Sequence, residues 1–201
     1  MQNPKYFITG TRCPEYVQAN LLTPPTHERT LNDCGFGFRG AFQLAPYGVD
    51  LKLTYQIDTK WPVFDNYPES KGFELYSKKL IGLMTDFNVK FEYFSARMVD
   101  EKGNELTNLE YYTFHLLEDL VDAMDEKKSE WKEEIRGIPR LVLDYSKFEH
   151  KPYFILNKIF IPLVREDLKN EIVKRKITGF GFLSPEKYRS GKYGLPPDFN
   201  D

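Results

Sequence analysis

From Val49 to Ile57 the chain alternates apolar and polar residues strictly. Val49, Leu51, Leu53, Tyr55 and Ile57 are interleaved with Asp50, Lys52, Thr54 and Gln56. A period of two is that of a half-buried strand. Lys5 to Thr9 reads as a shorter strand, and Thr23 to Thr30, with Pro24, Pro25 and His27, as a loop. From Ser70 the period lengthens: Phe73, Tyr76, Leu80, Leu83, Met84 and Phe87 fall on one stripe, while Lys71, Glu74, Lys78 and Lys79 fall elsewhere. This spacing predicts a helix over about residues 71–87. Val89, Phe91 and Tyr93 then alternate with Lys90 and Glu92, the run Asp100 to Asn104 has turn composition, and Leu109 to Leu116 reads as the returning strand of a hairpin.

The second half is patterned in shorter pieces. Leu117, Leu120, Val121 and Met124 stand at helical spacing within Leu117 to Lys128, directly after a strand. Arg140 to Asp144 and Tyr153 to Leu156 are short apolar runs that read as strands. Arg165 to Lys176 is the best-marked helix. Glu166 and Asp167 stand in its first turn, Lys174, Arg175 and Lys176 in its last, and Leu168, Ile172 and Val173 form its apolar stripe. Gly179 to Leu183 reads as a strand, and Ser184 to Asp201 as an irregular tail. Leu75 to Phe91 and Leu163 to Phe180 share one course of helix, turn and strand, with Ser77-Lys78-Lys79-Leu80 matching Arg165-Glu166-Asp167-Leu168 in position. Either a duplicated unit or the commonest way of packing a helix on a sheet produces that echo.

These elements predict an α+β fold, mainly antiparallel sheet with at least two packed helices, about 71–87 and 165–176. With 201 residues, one core is expected. Residues 1–64 are expected to form a strand and loop region of the same fold, 65–183 its core, and 184–201 the tail. Apolar residues at 41 % and charged residues at 29 % exclude a disordered chain. The 28 Lys and Arg against 30 Asp and Glu leave a net charge of -2, so no global basic field exists to hold nucleic acid. Cys13 and Cys34 are too few for a disulfide framework. Met1 to Gly10 lacks a basic start followed by an apolar run, and no stretch nears the roughly 18 apolar residues of a membrane span. A cytoplasmic protein without membrane or nucleic-acid partners is the expectation.

Candidate chemistry is sparse. Gly35-Phe36-Gly37-Phe38 and Gly179-Phe180-Gly181-Phe182 lack the Lys and Ser or Thr of phosphate loops, and read as strands with Phe on one face. Cys13, His27 and Cys34 lack the tight pair that zinc sites use, so no metal or cofactor is assigned. No G-x-S-x-G elbow exists, and none of His27, His115 and His150 is assigned as a general base, so no catalytic residue is assigned. The acidic run Glu118, Asp119, Asp122, Asp125 and Glu126 stands out. On a helix Asp122 and Asp125 would share a face, where like charges repel, so a surface for a basic partner or a cation is one reading and a solvated face the other.

Short motifs follow one another from Asp65 to Leu183. Asp65, Ser77 and Leu80 place an acid before a helix that opens with Ser and a following Leu. Asn88-Val89-Lys90-Phe91 has the form of a "gvxF" strand; Tyr111-Tyr112-Thr113-Phe114, then Asp122-Ala123-Met124-Asp125, then Ser129, give a Tyr-rich strand, "DaxD" and Ser. Leu141-Val142-Leu143-Asp144 has the form "lvlD", Tyr153-Phe154 the form "iF", and Leu168 with Thr178-Gly179-Phe180-Gly181-Phe182 gives a helix and "TGxxF". This ordered succession resembles the immunity protein eleven family of bacterial polymorphic toxin systems. Leu163-Val164-Arg165-Glu166 departs from the family's Val-Ser-Glu, Tyr153-Phe154-Ile155 lacks the Arg that often follows, and the chain before Asp65 does not align. The resemblance implies a protein that binds and neutralises a cognate toxin, and it transfers no catalytic residue. The clustered charge of Glu118, Asp119, Asp122, Asp125 and Glu126 makes that stretch the candidate contact. The resemblance leaves the oligomeric state open. The alternatives are an interaction module of a mobile element and a hydrolase with an undeclared active site.

Overall fold

The computed structural model describes residues 5–11, 19–22, 53–67, 74–117, 120–132, 137–148, 150–157, 159 and 161–189. Its strands, in chain order, are β1 (Tyr6–Thr11), β2 (Asn20–Leu21), β3 (Leu53–Gln56), β4 (Asn66–Tyr67), β5 (Glu74–Ser77), β6 (Phe91–Val99), β7 (Tyr111–Leu116), β8 (Glu130–Lys132), β9 (Gly137–Arg140), β10 (Tyr153–Leu156), β11 (Ile161–Arg165) and β12 (Phe180–Leu183). Helix α1 (Lys78–Asp86) follows β5, and α2 (Glu166–Lys174) follows β11. The fold is α+β and mainly antiparallel, as the periodicities require. The chain forms two compact units: Met1–Arg12 with Asp119–Lys176 and Phe180–Asp201, and Cys13–Glu118 with Ile177–Gly179.

The first unit carries a four-stranded antiparallel sheet in the order β10-β11-β1-β12 and the two-stranded sheet β8-β9. Tyr6 and Ile8 alternate inward from β1 to a core shared with Phe148, Phe154, Leu156 and Leu163. The Tyr6 ring meets Phe148 edge-on at 4.8 Å, and its hydroxyl donates to the carbonyls of Lys151 at 2.9 Å and Phe148 at 3.3 Å. Burial pushes that hydroxyl's pKa up to about 12. Pro162 pairs only with Ile155 of β10, beyond the reach of β1's register, so its missing N–H breaks no ladder bond on that side. Helix α2 packs on β1 and β11 through Leu168 and Ile172. In β12, Phe180 and Phe182 stack at 6.0 Å and Gly181 faces Gly10 across the pair, so the Gly–Phe alternation is a strand as its pattern predicts. The other Gly–Phe repeat, at Gly35 to Phe38, lies outside the described residues, as do Cys13, His27 and Cys34.

The second unit carries a six-stranded sheet in the order β2-β3-β6-β7-β5-β4. Its pairs are antiparallel except β3 with β6, which run parallel with Leu53 opposite Ala96. Leu53, Tyr55, Leu75, Met98 and Tyr111 fill the core on one face. The hairpin of β6 and β7 is as the alternation predicts, with Phe91 opposite Leu116 and Ala96 opposite Tyr111. Gly103, at φ +85°, closes the turn below it, while the Asp100 carboxylate accepts from the Lys102 and Asn104 amides at 2.8 Å each.

Several boundaries differ from the sequence pattern. Of the strand expected over Val49 to Ile57, the described part is Leu53–Gln56. The first helix begins at Lys78 and not near residue 71, because Glu74–Ser77 pairs as β5 with β4 and β7. Tyr76 sits on the helical stripe by spacing, but on the sheet by hydrogen bonding, stacked on Phe114 at 4.5 Å. Leu141 to Asp144 continues past β9 without becoming a strand; its backbone ladder is an isolated bridge between Met124 and Leu143.

Candidate functional site

The apolar spacing of Leu117 to Lys128 allowed a helix for the acidic run. Its described part, Asp122 to Glu126, stands instead in extended chain followed by a turn. Val121 bridges Leu156, Met124 bridges Leu143, and Asp125 to Ser129 turns back into β8. The helical spacing of Leu117, Leu120, Val121 and Met124 yields to strand-like hydrogen bonds: the Val121 amide donates to Ile155 O at 2.9 Å and the Asp125 amide to Val142 O at 2.9 Å. Asp122 and Asp125 therefore do not share a helical face. Glu118 and Asp119 lie outside the described residues.

The two aspartates of the Asp122-Ala123-Met124-Asp125 motif do different work. Asp125 builds the turn. Its carboxylate accepts from the amides of Lys127 at 3.1 Å and Lys128 at 3.2 Å and pairs with Lys128 Nζ at 2.8 Å. The hydrogen bond from Lys128 holds its pKa below the ordinary carboxylate value. Asp122 is exposed between buried Val121 and Ala123, and has no hydrogen bond or ion pair to any described residue. Glu126 is exposed in the turn. Ser129 locks the base of the turn: its hydroxyl donates to Val142 O at 3.0 Å and accepts from Val142 N at 2.9 Å. Asp144, the last residue of the "lvlD" motif, caps the short 3-10 turn Tyr145–Lys147 by accepting from the Ser146 amide at 3.2 Å, and also accepts from the Ser146 hydroxyl at 2.7 Å.

In the second unit, Asp65, Ser77, Thr178 and Gly179 meet. Ser77 Oγ donates to Asp65 Oδ1 at 2.6 Å and, as the N-cap of α1, accepts from the Leu80 amide at 3.2 Å. Asp65 Oδ2 accepts from the amide of Thr178 at 2.8 Å and its hydroxyl at 3.1 Å. Each of these residues has a structural task. The same unit holds one buried histidine: His115, 2 % exposed on β7, faces Glu92 of β6 with Nδ1 2.6 Å from Oε1. On the opposite sheet face Phe91, Tyr93 and Tyr112 form an aromatic strip, with Tyr93 51 % exposed. Sequence reasoning did not single out this strip; the alternation of Phe91, Tyr93 and Ser95 across from Tyr112 and Phe114 was the signal for it.

Among the described residues, no group of three or more His, Cys, Asp or Glu lies close enough to hold a metal ion. No described helix is long and apolar enough to cross a membrane.

The protein defined so far is an α+β chain whose motif residues chiefly tie segments together. The model of the Immunity protein family (Imm11) matches residues 8–186, and the chain belongs to that family. The match begins near the start of β1, so it also takes in the region before Asp65 that the motifs left unaligned. No curated protein matches the chain.

Proposed function

We propose that this chain is an immunity protein that protects a bacterial cell by binding a cognate toxin in the cytoplasm, without catalysing a reaction. Membership of the immunity family over residues 8–186 is the observation that carries this reading. Such inhibition needs a stable scaffold and a specific surface, and a standard interface buries roughly 1,200–2,000 Å² in total.

The acidic stretch Glu118, Asp119, Asp122, Asp125 and Glu126 forms part of the contact in this reading. Asp122 is its strongest member, because it is exposed and carries no structural duty among the described residues. A desolvated carboxylate facing a basic partner contributes specificity and speeds encounter. Asp125 supports the contact by shaping the turn.

The test is survival. The upstream neighbouring gene is induced under tight control with and without this protein, and colonies are counted. Rescue together with a co-purifying complex is the expected result. Absence of toxicity, or toxicity that this protein does not relieve, overturns the reading in favour of a general interaction module or an enzyme. Charge reversal at Asp122 and Asp125 together should weaken toxin binding at least tenfold, measured by calorimetry; unchanged affinity removes the acidic stretch from the contact. Asp122→Lys alone should account for most of the loss.

A further inference from the structure

Residues Ile177–Gly179 belong to the second unit, although α2 ends just before them and β12 begins just after, both in the first unit. What holds them is a clip made wholly of second-unit atoms. Besides the two bonds from Thr178 to Asp65 Oδ2, the Asp65 amide donates to Thr178 Oγ1 at 3.0 Å. The Asn66 amide donates to Thr178 O at 3.1 Å, and Asn66 Nδ2 to Gly179 O at 3.3 Å. Gly179 has φ +87°, and a Cβ there would lie 2.1 Å from Asn66 O. Only glycine permits that approach.

We propose that this clip is a strap that makes the two units open together. The coupling runs along the covalent chain. While Asp65 and Asn66 hold Thr178 and Gly179, the crossing from α2 to β12 has fixed ends. Freeing it would release a short loop and cost the first unit the entropy of closing it again. β12 is an edge strand, paired to β1 alone in its sheet, so it depends strongly on where its first residue is placed. Opening of the second unit removes the clip and frees β12; loss of the clip alone uncouples the two events.

Native-state hydrogen exchange on the intact chain, followed by mass spectrometry at increasing urea, reads this directly. In the parent protein, peptides covering α2 and β12 should merge with those covering β5 to β7 in one opening event. Thr178→Val keeps the side-chain shape and leaves the Ser77–Asp65 bond in place. It should split the event, with α2 and β12 exchanging roughly tenfold faster than β5 to β7, the size expected for losing net hydrogen bonds of this kind. Separate opening in the parent overturns the proposal. So does a Thr178→Val protein in which the two sets of peptides still merge.

Discussion

The segments β5–α1–β6 and β11–α2–β12 reach the same local geometry by different chemistry. Leu80 and Leu168, Met84 and Ile172, and Val89 and Ile177 stand at one constant offset along the chain, and all six are buried. After each helix the residue at the same place takes a positive φ, 54° at Asn88 and 52° at Lys176. Each helix starts directly from the end of a strand. The N-termini differ. Ser77 caps α1 with its side chain and is itself gripped by Asp65, and α1 has no acid in its first turn and no base in its last. Arg165 makes no side-chain cap; it pairs with Asp167 through two 2.7 Å bonds, and Glu171 pairs with Lys174 and Arg175. The departure of Arg165 from the family's Ser thus coincides with a change from a hydrogen-bonded start to an electrostatic one. α1 buries Leu80, Ile81, Leu83 and Met84, where α2 buries Leu168 and Ile172, so α1 relies more on packing and α2 more on charge.

The buried leucines give the largest effect by which to break this equivalence. Leu80→Ala and Leu168→Ala should each lower stability by about 2–5 kcal/mol in urea unfolding, because both side chains are fully buried. A cost below about 1 kcal/mol at either site would show that the two helices are not anchored alike.

The helix starts should separate next. Ser77→Ala should cost about 1–2 kcal/mol, and the cost should persist in high salt, since a cap bond and a bond to Asp65 are lost together. Arg165→Ala should cost about 1 kcal/mol or less, because its pair with Asp167 is partly solvent-exposed and screened. That cost should shrink when the same melts are run in about 1 M salt.

Two threonines sharpen the contrast between the units. Thr9 Oγ1 in β1 is buried without a hydrogen-bond partner among the described residues, whereas Thr113 Oγ1 in β7 bonds the Tyr55 hydroxyl at 3.1 Å. Thr9→Val should stabilise by about 1 kcal/mol and Thr113→Val should destabilise by about as much, because the second change removes a buried hydrogen bond. Equal signs in thermal melts would refute the assignment.

The smallest effect is acid sensitivity of α2. The bond from Arg165 holds Asp167 below its ordinary pKa of 3.8, and Arg175 and Lys174 hold Glu171 below 4.5. Groups depressed in the folded state stabilise it above their unfolded pKa, and that contribution disappears as pH falls through the folded value. A D167N/E171Q variant should therefore melt lower than the parent near neutral pH and lose less on acidification from about pH 6 to pH 3.

Legibility followed the range of the interactions. The β6–β7 hairpin was readable because a period of two reports one buried sheet face, and Tyr153 to Leu156 because a short continuous apolar run reports a strand buried on both faces. α2 was readable to within two residues at its end, since its charges mark both termini. β5 was hidden by Tyr76, whose place on a helical stripe could not reveal that Tyr112 would pair with it. The acidic run misled in the same way. Its apolar residues are at helical spacing, but partners distant in sequence, Val142 with Asp144 and Ile155 with Asn157, supply the hydrogen bonds. The motif pointed to Asp122 and Asp125 alike; only the structure shows that one is spent on a turn and the other is open.

The sequence by itself determined the fold class, the two helices and the family pattern, because periodicity, end charges and ordered motifs are local properties. The tertiary structure alone decided where α1 begins, that the chain from Val121 to Asp125 is extended, and that Asp65 and Asn66 grip Thr178 and Gly179 from far along the chain. Those outcomes depend on backbone groups finding partners remote in sequence. A buried amide left without one costs more than a local preference for helix supplies.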